Sequence, residues 1–124
     1  MLTKKEPDIH ILTAVNFGDR PSGTIATLAL RMTAEMSKAE HPRACEAVMN
    51  STYVDDIADS VKNQKAATEV TEDISSILQR GNFHIKKWHI SGRNDDCVDL
   101  CSNSTEKVFG VSWLPKSDDI LFNV

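Results

Sequence analysis

Apolar positions along the chain change period several times, and each change marks an element. Residues 9–15, Ile-His-Ile-Leu-Thr-Ala-Val, are rich in β-branched and apolar side chains and predict a strand. Gly, Pro and Asp then crowd residues 16–23 and predict a loop. Ile25, Leu28, Ala29, Met32 and Met36 follow at helical spacing, a stripe that reads as core packing, with Ser22 or Thr24 as its N-cap. This helix should stop before His41-Pro42. Pro42 suits the first turn of a second, shorter helix with Ala44, Cys45, Val48 and Met49 on its apolar face.

Residues 51–61 carry Tyr-Val and Ile-Ala on either side of two adjacent acids, which predicts a hairpin with buried flanks and the acids at its tip. The clearest helix spans about 64–80, with Val70, Ile74, Ile77 and Leu78 on one face. Arg80 suits its last turn, and Gly81 is placed to be the left-handed residue that ends it. Residues 83–90 read as a strand, 91–106 as a polar loop, and 107–113 and 120–124 as two strands joined around Pro115 to Asp118. Strand, helix, helix, hairpin, helix, strand, hairpin is an α+β order with a mostly antiparallel sheet packed against helices.

Composition narrows the class. The chain has 124 residues, 40% hydrophobic and 26% charged, a globular balance for one domain. No apolar run approaches the ~20 residues of a membrane-spanning helix, so no membrane partner is expected. The net charge of −4 argues against nucleic-acid binding through bulk charge alone. Cys45, Cys97 and Cys101 are an odd count, which fits a reducing, intracellular compartment.

The chemistry concentrates at Asp55 and Asp56. Asp95-Asp96 and Asp118-Asp119 are also paired, but among turn residues where solvation suffices. The pair at 55–56 lies between apolar neighbours. Two carboxylates at ~4 Å repel by about 1 kcal/mol even in bulk water, and a divalent cation would offset that. Oxygen donors of this kind suit Mg²⁺, which keeps several waters and is completed by substrate phosphates. Successive side chains of a regular strand point to opposite faces, so both aspartates can serve one metal cluster only at a turn.

Tyr53-Val54-Asp55-Asp56 matches the Tyr-x-Asp-Asp box of reverse transcriptases. Three further segments in the right order strengthen the resemblance. Phe17-Gly18, a loop with Ser22 and a long helix resemble the palm motif that precedes the box. Gly81 to Trp88 resembles the Gly, Phe, basic, Trp segment of BEL/Pao-type retrotransposon polymerases. Val108-Phe109-Gly110-Val111-Ser112-Trp113 resembles their Leu-Gly-x-x-Trp hairpin, with Phe109 where Leu is common. The resemblance covers roughly residues 10–124.

It implies a partial polymerase palm and an RNA-directed DNA polymerase activity: two-metal nucleotidyl transfer onto a primer 3′ hydroxyl. Asp55 and Asp56 match the catalytic, metal-binding pair for Mg²⁺ or Mn²⁺. Tyr53 matches the aromatic residue near the primer terminus. Phe17 matches the position that packs on the incoming nucleotide, and Lys86 or Lys87 lies near that of a basic residue approaching the triphosphate. Trp113 belongs to the hairpin that resembles the primer grip. The implied partners are an RNA or DNA template-primer, a deoxynucleoside triphosphate and the remainder of a polyprotein, in the cytoplasm or a virus-like particle.

Two departures stand out. Gly23 follows the serine where many relatives have Pro. The family's third catalytic aspartate lies upstream of Phe17, and the acids there, Glu6 and Asp8, lack its surrounding motif. The expectation is therefore a palm piece, residues 1–124 as a single partial domain without fingers or thumb, which does not polymerise alone. The alternative is a degenerate, non-catalytic remnant that binds nucleic acid or protein. An unpaired sheet edge would invite self-association.

Weaker signals have plainer readings. Cys97 and Cys101 with His84 and His89 resemble half a zinc site, but a polar loop with ordinary thiols explains them. Arg80, Lys86, Lys87 and Arg93 with interleaved aromatics could touch phosphates, or form a solvated face around Trp88.

Overall fold

The computed structural model describes residues 6–91, 105–115 and 117–121. Three helices, α1 (Ser22–Met36), α2 (Pro42–Asn50) and α3 (Gln64–Arg80), pack on one another. Two small antiparallel sheets accompany them. One is the hairpin β1 (Thr52–Tyr53) and β2 (Asp56–Ile57); the other is the meander β3 (Glu106–Val108), β4 (Val111–Leu114) and β5 (Asp119–Leu121). The chain is α+β, and among the described residues no helix is long and apolar enough to cross a membrane.

The core is made where the three helices meet. Ala34 from α1, Ala44, Cys45, Ala47 and Val48 from α2, and Ile74, Ile77 and Leu78 from α3 are all buried. Removing each of the larger side chains from water stabilises the fold by about 1.5–3 kcal/mol. The alanines matter for a different reason: without bulk at these positions the helix backbones approach closely. Burial and the nearby Glu35 carboxylate push the Cys45 thiol above its ordinary value, so it stays protonated.

Helices α2 and α3 begin and end as local chemistry dictates. Pro42 occupies the first turn of α2. Asn63 caps α3, its Oδ1 accepting the Ala66 N–H at 2.8 Å. The C-terminus of α3 is a Schellman motif: Phe83 N–H bonds to the Leu78 carbonyl and Asn82 N–H to that of Gln79, each at 3.0 Å.

Several sequence expectations are corrected. The left-handed residue after α3 is Asn82 (φ 61°), whereas Gly81 has φ −90°. Gly81 answers a steric need, since a Cβ there would lie 2.5 Å from Thr33 Oγ1 on α1. Neither Ser22 nor Thr24 caps α1, whose N-cap position is Pro21; the Ser22 hydroxyl donates instead to the Asn16 carbonyl. Residues 9–15 and 83–90 are not strands. A strand needs a ladder partner, and alternation alone does not supply one. In 83–90 Phe83, Ile85 and Trp88 pack on the helical core instead, and Trp88 Nε1 donates to Ser75 Oγ at 3.0 Å.

Residues 107–113 are not one strand. They turn back at Phe109-Gly110, where both residues have positive φ (53° and 79°), the requirement of a type I′ two-residue hairpin. The apolar stripe of α1 is inverted relative to expectation. Met32, Met36, Leu28 and Ile25 are exposed, while Leu30, Thr33, Ala34 and Ser37 face the other helices. The expectations for Asp95-Asp96, Cys97 and Cys101 lie outside the described residues.

Candidate functional site

The site is assembled around the β1–β2 hairpin. Thr52 pairs with Ile57 and Tyr53 with Asp56, leaving Val54 and Asp55 as a two-residue turn. Three contacts fix this hairpin to its surroundings. Thr52 Oγ1 donates to the Val48 carbonyl at the end of α2 (2.7 Å), Ala58 N–H bonds to the Ser51 carbonyl (3.0 Å), and Ile57 packs on the helical core. The hairpin flanks expected to be buried are only partly so, since Tyr53 and Val54 are exposed.

Val54 has φ 52°. A β-branched residue at positive φ is sterically disfavoured, and strain of this kind is of order 1–3 kcal/mol. The turn places Asp55 in solvent at the tip and Asp56 half-buried beside it. Among the described residues no three His, Cys, Asp or Glu side chains converge as a metal cage. Two adjacent carboxylates still match how Mg²⁺ is commonly held, through one or two carboxylates with water and phosphate completing the shell.

Asp56 has a second engagement. Its Oδ2 accepts the backbone N–H of Phe109 at 3.0 Å, and the Phe109 ring meets Tyr53 edge to face, centroids 5.7 Å apart and planes at 86°. The two sheets are thus joined turn to turn. Sequence reasoning missed this contact, because residues 107–113 read as one strand and the Phe109-Gly110 turn that makes the contact was not part of that reading.

The other sequence-selected residues lie apart from that joint. Phe17 precedes α1 with its side chain fully exposed, packing on nothing among the described residues. Lys86 is exposed. Lys87 Nζ lies 3.6 Å from Glu106 Oε1, and His89 Nε2 lies 3.5 Å from Glu106 Oε2. These pairs tie segment 83–90 to β3. Trp113 stands edge-on to His89 and donates its indole N–H to Asp118 Oδ1 at 2.9 Å, so it is held within its own meander. Arg80 is committed to Glu40 (2.7 Å) and Ser37 (3.2 Å), which removes it from any free basic face.

Compared with protein-family profiles, curated proteins and solved structures, the chain shows no match to any of the three.

Proposed function

We propose that the chain is the part of a reverse-transcriptase palm, of the BEL/Pao retrotransposon type, that carries the Tyr-x-Asp-Asp hairpin. The observation that carries this reading is the two-residue turn at Val54-Asp55, which puts Asp55 in the turn and Asp56 next to it at the start of β2. The strained φ of Val54 supports it, because strain is retained where a turn must present particular groups. Asp55 and Asp56 would hold Mg²⁺ or Mn²⁺. When bound, the ion supplies positive charge to phosphate oxygens and to the attacking hydroxyl.

The residues' own contributions follow from their positions. Asp55 offers an exposed carboxylate at the tip. Asp56 has one oxygen held by Phe109 N–H, which fixes the carboxylate and leaves its other oxygen for a ligand. Tyr53 presents an exposed ring beside the acids, suited to packing on a sugar or base at a primer end. Phe17 and the Lys86/Lys87 pair keep the nucleotide-binding roles that the resemblance implies, in a longer polymerase. With two carboxylates of the family's three, the chain alone is inactive in this reading.

The Asp56–Phe109 bond favours a second reading, a non-catalytic remnant in which that carboxylate is a structural tie rather than a ligand. Two measurements separate them. Titration with Mn²⁺ should broaden the amide resonances of residues 53–57 first, and Asp55→Asn should remove the effect. A longer reading frame that includes the upstream aspartate should extend a primed template, and Asp55→Asn should abolish that extension. Broadening centred elsewhere, or extension indifferent to Asp55→Asn, would overturn the polymerase reading.

A further inference from the structure

Helix α1 is apolar on two faces. One, with Leu30 and Ala34, packs on α2 and α3. The other carries Ile25, Leu28, Met32 and Met36, which are 45%, 56%, 58% and 86% exposed. Leu12 and Val15 extend this second face, because they line one shallow depression together with Ile25. These six side chains leave roughly 600 Å² of apolar surface in water, at the top of the range for the largest patch on an ordinary monomer. Two such faces paired together would bury ~1,200 Å² at most, the lower end of the range for specific interfaces.

We infer that the second face of α1 is a homodimer interface, in which two copies of this chain pair their α1 helices antiparallel about a two-fold axis. A two-fold interface must be self-complementary, and this stripe is. Ile25, Ala29, Met32 and Met36 are spaced four, three and four residues apart, a short seam of the coiled-coil kind. Antiparallel pairing sets Ile25 opposite the partner's Met36 and Ala29 opposite the partner's Met32, each twice. Large meets small at the centre, and none of the facing residues is charged. At each end the most exposed and most adaptable side chain, Met36, is brought to the depression lined by Leu12, Val15 and Ile25. Arg31 and Glu35 lie to one side of the seam and remain in water. The inference does not depend on nucleotidyl transfer.

Sedimentation of the full chain with three variants tests it. The chain should sediment at twice 13.8 kDa at micromolar concentration. Ile25→Lys and Met36→Glu, both at exposed positions, should each weaken association at least tenfold with unchanged helical circular dichroism. Mixing these two variants should restore a dimer, because one junction then pairs the introduced lysine with the introduced glutamate and the other junction is native. Met32→Lys should not be rescued by either. A monomer at 100 micromolar, variants that associate as tightly as the parent, or Ile25→Lys and Met36→Glu staying apart on mixing would each overturn the inference.

Discussion

Asp56 and Phe109 are 53 residues apart in sequence, and a carboxylate oxygen of the first accepts the backbone N–H of the second at 3.0 Å. The bond joins the acidic turn of one hairpin to the type I′ turn of another, and the edge-to-face contact of Tyr53 with Phe109 reinforces it. A charged acceptor makes this stronger than a neutral pair. The meander β3–β5 is therefore held against the hairpin at its tip.

Breaking that bond should loosen the meander selectively. Asp56→Ala should cost about 1 kcal/mol and speed hydrogen exchange at the Phe109 amide, with the amides of α3 unaffected. Asp56→Asn keeps an acceptor oxygen and should retain most of the protection. Equal acceleration of exchange in α3 would mean the joint is part of the global fold.

Val54 offers a test of strain. Glycine tolerates positive φ, and its added unfolded-state entropy is smaller than the strain of a β-branched side chain there. Val54→Gly should raise the thermal midpoint, by up to about 1 kcal/mol in stability. A lowered midpoint would show that the side chain contributes packing that outweighs its backbone cost.

Gly81 and Thr33 are coupled by contact. A Cβ at residue 81 would meet Thr33 Oγ1 at 2.5 Å and Cγ2 at 2.7 Å. Gly81→Ala should destabilise by about 1–3 kcal/mol, as overpacking does. Thr33→Ala removes both atoms, so adding it to Gly81→Ala should recover most of the loss. Chemical denaturation of the four-member cycle measures the coupling; additive losses would place the cost elsewhere.

The Arg80 guanidinium, through its hydrogen bond and its charge, holds the Glu40 carboxyl below its ordinary value of 4.5. A depressed carboxylate pKa means stability that is present above the unfolded value and lost as pH falls through the folded one. The Glu40 resonance should therefore titrate below 4.5, and Arg80→Gln should bring its midpoint back up. A midpoint unmoved by Arg80→Gln would show that the pair is not formed in solution.

Local signals were enough for part of this fold. Proline at the start of α2, the apolar face of α3 and the acids between Tyr-Val and Ile-Ala placed two helices and a hairpin from sequence, because caps, helical period and tight turns are short-range physics. The acidic turn was legible for the same reason: Asp55 and Asp56 are neighbours in a tight turn between two short strands. Three kinds of feature were not legible. Whether residues 9–15 and 83–90 become strands depends on a ladder partner, and the second of these found the helical core instead. Which face of α1 is buried depended on Ala34, Ala44 and Ala47, whose small side chains let helices approach closely while Met32 and Met36 were left outside. The Asp56–Phe109 bond and the need for glycine at 81 exist only once distant segments are in contact. Helix period, an N-terminal proline and paired acids act within a few positions and are visible in one segment; which surfaces meet is set in three dimensions, because packing depends on the shapes of two elements and local pattern describes only one.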